Sequence, residues 1–268
     1  MQNKLGATFR ATSNSVKQTL AIVEADICKL KHDPIELLMR MIQPAMWLLL
    51  FGTAMSHVRP IVGIGDISYL DYIAPGVLAQ SVLFVSIFYG IALIWERDSG
   101  ILYKILVTPA PRYTLVLGRA LGAGLRSLFQ MAMIYLLSFL LGIHLKVDIL
   151  SLAGVSAMVM IVAGMFSTFS LIVATLVKKR ERFMGIGQLL TMPFFFASNA
   201  LYPVSTMPTW IRTISICNPL TYQVDALRDM MIQGQMSHFG LGLDFAISIA
   251  VFTTLAAIAT RLYPRILY

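Results

Sequence analysis

The residues able to carry acid–base, nucleophilic or metal chemistry are few and scattered. His32, His57, His144 and His238 are widely separated, and none stands at HExxH or another metal-ligand spacing. No GxSxG nucleophile turn occurs, so the strand-to-helix elbow of that chemistry is missing. Gly63/Gly65, Gly185/Gly187 and Gly240/Gly242 each lack the third glycine of a dinucleotide fingerprint. A GxxxxGK[ST] phosphate loop is absent, and the dipeptide Gly-Lys does not occur at all. The sequence predicts no catalytic residue, no cofactor and no metal held by this chain. Cys28 and Cys217 are expected on opposite sides of a membrane, as two unpaired thiols.

The elements around these residues explain the poverty of chemistry. The chain is 57% hydrophobic and 13% charged, with a mean hydropathy of +0.76, well above the roughly 45–50% apolar content of soluble domains. A helix needs about 20 mostly apolar residues to cross a bilayer core. Six stretches qualify, over residues 35–56, 72–95, 115–142, 149–177, 183–204 and 240–261. The expected fold class is an all-α integral membrane protein. It forms a single unit over 1–268, with an amphipathic segment at 1–33 and a six-span core at 35–261. The first residues lack the basic-then-apolar pattern of a secretory signal, so the amino terminus is expected to be retained.

Charge gives orientation. Both termini, the loop after the second span and the "KKRER" loop carry most of the Lys and Arg, whereas Arg59, Lys146, Arg212 and Arg228 fall on the other side. Short basic loops mark the cytoplasmic face. The net charge of +8 follows from that asymmetry and from attraction to anionic headgroups, and is no sign of nucleic acid binding. Asp71 and Glu96 lie at the ends of the second span and Glu36 at the start of the first. A proton- or sodium-coupled carrier needs an acid or a broken helix near the midplane. The pattern leaves a channel, a scaffold or a membrane subunit driven by another protein.

Several segments have local signatures. Val16, Leu20, Val23, Ile27 and Leu30 form one apolar helical stripe before the first span, as in a helix lying in the headgroup plane or packed on a partner. Asp33-Pro34 restarts a helix, and Pro44 favours a kink within the first span. The third span opens with the small residues Gly118, Gly122 and Gly124, which let helices approach closely. Arg119 and Arg126 share a face there; Arg119 is expected to reach headgroups, and Arg126 to snorkel, pair or face a wet cavity. Between the fifth and sixth spans, Pro203, Pro208 and Pro219 divide an apolar region into pieces of half-helix length. Such pieces suit a re-entrant segment anchored by Trp210, Tyr202 and Tyr222; a plain external loop is the alternative.

The stretch "ERDSGILYKILVTPAPR", Glu96 to Arg112, sets Ile101, Leu102, Ile105 and Leu106 among charges, with Asp98 and Ser99 as capping candidates and Pro109 and Pro111 as stops. It is too short to span and apolar enough to insert into a groove on a partner, or to be an interfacial loop. "WERDSGILYKILVTPAPRYTLVLGRALG" resembles the cytoplasmic loop of the type-2 family of ATP-binding-cassette (ABC) exporter permeases. "ALYPVSTMPTWIRTISICNPLTYQVDALR" is similar to the Pro-rich external segment of the same family, nearest its drug-resistance branch.

The resemblance implies a dimer, taken as a homodimer, bound to two nucleotide-binding ATPase subunits that hold ATP and Mg, in a membrane whose lipids it also contacts. It assigns coupling to the ATPase to Glu96, Arg97, Asp98, Gly100, Leu102, Leu106, Thr108 and Pro109. Ile101 and Tyr103 depart from the family's more usual Thr and Glu. Pro203, Pro208, Asn218, Pro219, Leu220 and Arg228 match the external gate, and Phe84, Phe88, Tyr89, Phe194, Phe195 and Phe196 are the expected pathway lining. The implied function is export of a hydrophobic or amphiphilic drug or lipid. Polysaccharide or lipo-oligosaccharide export and a non-transporting scaffold are the alternatives.

Overall fold

The structure is a computed structural model and describes residues 18–19, 23–24, 28, 39–56, 67–102, 111–177 and 179–263. Leu106, Thr108 and Pro109 of the expected coupling segment, and most of the amino-terminal stripe, lie outside them. Within that stripe Gln18, Thr19, Val23, Glu24 and Cys28 are helical, with Val23 buried and Glu24 exposed.

Helix α1 (Ile42–Met46) contains the buried Pro44 and passes into a π-helical turn, Trp47–Gly52, before α2 (Thr53–Ser56). The kink expected at Pro44 is thus drawn out into a change of ladder. A wider ladder frees carbonyls, and the Thr53 hydroxyl donates to those of Leu49 and Leu50. The described part of the first expected span is therefore one helix whose ladder widens through this π turn.

Helix α3 (Tyr69–Asp98) starts at Ser68, whose hydroxyl accepts from the Leu70 amide. It is the central helix, with 78% of its most apolar stretch buried. Around it stand α4 (Arg112–Leu140), α5 (Ile149–Leu176) and α6 (Arg180–Phe196). Two further short helices follow a 3-10 turn at Val204–Thr206: α7 (Thr209–Cys217) and α8 (Pro219–Met231). The last is α9 (Leu241–Leu262), whose most apolar stretch is only 11% buried, so it turns most of its apolar surface outward. Among the described residues, α3, α4, α5 and α9 are long and apolar enough to cross a membrane.

The fifth expected span stops short. The apolar run continues to Leu201, but α6 ends at Phe196 and the chain turns. Ser198 donates its hydroxyl to Phe195 O at 2.7 Å and accepts from the Ala200 amide. Bonds through the Ser198 side chain replace part of the helical ladder there.

Close packing fixes the centre. A β-carbon on Gly90 would fall 2.0 Å from Ser170 Oγ, and that hydroxyl bonds Ile87 O across the α3–α5 contact. Similarly, Gly76 faces the Ala200 carbonyl, where a β-carbon would fall at 2.6 Å. Helices α3 and α4 run antiparallel and meet at polar points two turns apart, Glu96 with Arg119 and Tyr89 with Arg126. Beyond the end of α4, the His144 amide bonds Asp71 at 3.2 Å.

Candidate functional site

Three places on this frame bring together residues singled out in the sequence. The first is the end of α3. The Glu96 carboxylate pairs with Arg119, with side chains 15% and 8% exposed. Arg119 was expected among headgroups; it is withdrawn into the bundle instead, because Glu96 offers a partner at the same level. Next to it, Asp98 holds Arg97 at 3.2 Å and Arg180 at 3.1 Å, and the Arg180 guanidinium lies 3.8 Å above the ring of Trp95. The end of α3 is therefore tied to α4 and α6 by charge.

In the segment after it, Ser99 and Gly100 form a turn, and Ile101 and Leu102 are helical again. Ser99 closes α3, donating its amide to Trp95 O at 2.9 Å, and Gly100 turns the chain at φ +73°, a conformation that costs glycine little. Leu102, expected to face a partner, is fully buried with Leu93, Ile94, Leu115, Phe183 and Tyr263. The turn at Gly100 folds it back onto its own bundle. Ile101, its neighbour, is 48% exposed and is the apolar side chain that this turn presents outward.

The second place is at the opposite end, where α8 plugs between α3, α5 and α9. Asn218 caps α8 by accepting from the Leu220 amide at 3.0 Å, and its Nδ2 donates to Phe194 O at 2.7 Å. Pro219 stands in the first turn and Leu220 is fully buried. Pro203 and Pro208 precede the 3-10 turn and α7, where a missing N–H is harmless. Arg228 is buried, donates to Asn199 O at 2.7 Å and lies 3.8 Å above the Tyr72 ring. Asn218, Pro219, Leu220 and Arg228 thus belong to α8 and its cap, and Asn218 and Arg228 reach Phe194, Asn199 and Tyr72.

Sequence reasoning missed the acids of this end. Asp225 is buried and accepts the amides of His238 and Phe239 at 2.7 and 3.0 Å. Ser237 Oγ lies 3.1 Å from Asp225 and 2.7 Å from Asp244, while accepting from the Gly240 amide. A single hydroxyl proton serves one carboxylate at a time. The available signal was Asp225 at i, i+3 from Arg228, and Asp244 at the start of a long uncharged run.

The third place is the aromatic set. Phe84 and Phe88 stack at 5.3 Å, both half-buried. Tyr89 and Phe195 are buried inside the chain and do not line an open wall within it. Phe194 packs edge-on to Phe166 at 5.8 Å, and Phe196, 44% exposed, reaches Trp47 at 6.3 Å. Trp47 also meets Phe195 at 5.4 Å, joining the first segment to α6. Beside Trp47 one open, apolar face of the first segment runs from Met39 to Ala54 and carries Ile42, Met46 and Leu50. A smaller cavity of about 100 Å³ lies between the first segment and α3, with Arg40, Gln43, Gln80 and Ser81 in its wall. Among the described residues no three His, Cys, Asp or Glu side chains group as a metal site requires.

Residues 17–232 match the ABC-2 type transporter family. The chain is similar to ycf38 of Cyanophora paradoxa, which is named a transport permease, at 28% identity over 80% of this chain and 73% of that one. It is also similar to the daunorubicin resistance ABC transporter permease protein DrrB1 of Streptomyces coeruleorubidus, at 25% identity over 94% of this chain and 88% of the other. A third relative is DrrC of Mycobacterium tuberculosis, named for doxorubicin resistance, with 24% identity over 86% and 83% of the two chains. The chain belongs to the ABC-2 type transporter family and is a multi-pass membrane permease subunit of the ABC type.

Proposed function

We propose that this chain is the membrane subunit of an ATP-driven exporter for hydrophobic or amphiphilic molecules, drugs or lipids. Six membrane crossings, with α7 and α8 as a re-entrant segment and the amino-terminal helix in the headgroup plane, place both termini in the cytoplasm of a cell whose inner membrane holds the protein. Two copies form the pathway. Two separate nucleotide-binding subunits bind ATP and Mg and dock on the segment after α3.

The observation that carries this reading is the construction of that segment's start. The Glu96–Arg119 and Asp98–Arg180 pairs anchor the end of α3 to two neighbouring helices, while Ile101 is turned outward beyond Gly100. A push on Ile101 would thus be delivered to α3, α4 and α6 together rather than absorbed by a loose loop. ATP drives transport through such a contact only by changing the relative stability of two states. The drug-resistance names of two relatives support the substrate class.

Purification in mild detergent, with mass spectrometry and an ATPase assay on the same material, tests the reading. Two copurifying ATPase chains with substrate-stimulated hydrolysis are expected. In Ile101→Asp the fold and the dimer should persist while bound ATPase is lost, because the substitution places a charge on an exposed contact without touching the buried Leu102. Full ATPase retention in that variant would remove the docking assignment.

A further inference from the structure

We propose that Asp244 is held as a neutral acid, and that its proton, shared with the hydroxyl of Ser237, pins the start of α9 to α8. Ser237 Oγ stands between the two helices. It lies 2.7 Å from Asp244 Oδ2 on α9 and 3.1 Å from Asp225 Oδ2 on α8, and it accepts from the Gly240 amide at 2.7 Å. A hydroxyl has one proton and two lone pairs. With both acids ionised, two carboxylates would compete for that one proton, and the loser would face a lone pair. With a proton on Asp244, its O–H donates to Ser237, Ser237 donates to Asp225, and the Gly240 amide takes the second lone pair. Every position around the oxygen is then used once.

The surroundings decide which acid is neutral. Asp225 Oδ2 also accepts the amides of His238 and Phe239, so three donors converge on one oxygen. Asp244 is fully buried, its Oδ2 meets only Ser237, and its Oδ1 has no hydrogen-bond partner among the described residues. Burying an ion in that state costs far more than burying a neutral acid. One turn along α9 on the same face, Ser248 is fully buried too, and its hydroxyl is likewise unpartnered. That hydroxyl therefore does not reach Oδ1, and no donor on this face of α9 answers a charge there.

The pin matters because α9 turns few side chains inward: its buried residues are Asp244, Ser248 and Ala259. Asp229 accepts the Ser237 amide at 2.8 Å, so a charge on Asp244 would be the third acid around one residue. The other ionisable groups of α8 and its loop are turned elsewhere. Arg228 meets Asn199 and Tyr72, the Tyr222 hydroxyl donates to Ile216 O, and the His238 ring packs on Phe239. Lys146 donates to the Asp229 carbonyl. Helix α5 carries no ionisable side chain, and Asp148 before it is exposed. On α4, Arg119 and Arg126 lie against Glu96 and Tyr89, Tyr135 has Asp148 as its charged neighbour, and Arg112 and Tyr113 stand at the far end. Loss of the proton would set like charges on α8 and α9 with Ser237 between them, and the loop from Ser237 to Gly240 would come away.

Infrared spectra and hydrogen exchange of the protein in phosphatidylcholine nanodiscs test this from about pH 5, above the ordinary Asp range, to about pH 9, below that of Tyr. The difference between wild type and Asp244→Asn should contain the carbonyl band of a protonated carboxyl. As rising pH removes that band, protection of the His238 and Phe239 amides, corrected for the intrinsic pH dependence of exchange, should fall at least about tenfold in the wild type. It should stay level in Asp244→Asn, whose amide N–H still donates to Ser237. His238→Gln in both backgrounds removes the imidazole as a cause. Ser237→Ala, which keeps both acids, should lose the protection at every pH. A band that persists to the top of the range with protection intact supports the same assignment. Absence of the band at every pH, its loss without loss of protection, an equal fall in Asp244→Asn, or full protection in Ser237→Ala would overturn it. No ATPase or transported substrate enters these measurements, so this inference and the exporter reading fail separately.

Discussion

Glu96 and Arg119 face each other with most of their surface removed from solvent. Two charges taken out of water gain little over an apolar pair, but removing one of them leaves the other stranded. Glu96→Gln or Arg119→Gln should each lower stability by about 3–5 kcal/mol. The double variant should recover much of that loss, and thermal unfolding in detergent of the three proteins measures the coupling. Additive losses would show that the two side chains do not act as a pair. At this scale the sequence was informative about Glu96, placed at a helix end, and misleading about Arg119. A side chain's partner 23 residues away, as Arg119 is from Glu96, is fixed by packing, and a single sequence carries no direct trace of it. Ile101 and Leu102 are adjacent and nearly identical in chemistry, so only the turn at Gly100 decides which of them is outward.

Helix ends follow rules that are local, and these were largely legible. Expected spans at 115–142 and 149–177 correspond closely to α4 and α5. Asp148 caps α5: its carboxylate accepts from the Ser151 amide at 3.0 Å, and that bond holds the acid below the usual carboxylate range. A lowered value in the folded state means that the cap contributes above the ordinary Asp range and that its contribution fades as pH falls through the lowered value. The unfolding midpoint of the wild type should exceed that of Asp148→Ala at neutral pH, and the two should converge in acid; a gap independent of pH would exclude the carboxylate as its cause. The first and fifth spans were less legible for the opposite reason. Hydropathy counts apolar residues and is blind to a π turn at Trp47–Gly52 or to a Ser198–Asn199 turn whose polar atoms find partners on Tyr72 and Arg228. The buried acids Asp225 and Asp244 left only a weak trace in the sequence, since the donors that meet them come from the irregular loop between them, Ser237 to Phe239.

For the whole molecule, run length and charge asymmetry were enough to give the membrane class, because the bilayer imposes both on any chain that crosses it; the family came from the resemblance of the stretches around Glu96–Arg112 and Asn218–Arg228. Orientation is open to a direct check. Cys28 and Cys217 are both exposed. A membrane-impermeant maleimide should label Cys217 in intact cells or right-side-out vesicles, and Cys28 only after permeabilisation; labelling of both from outside would refute the proposed topology.

One feature of the α3–α4 pair bears on how such a molecule can move. Seven residues separate Glu96 from Tyr89 on one helix and Arg119 from Arg126 on the other, so the two contacts keep step along antiparallel rods, about 10.5 Å apart. Sliding one rod along the other would break both contacts at once, with no intermediate position that restores either. A displacement begun beyond Gly100 would therefore travel along these two helices as along a piston, and bending would have to occur elsewhere, where the first segment already abandons its regular ladder.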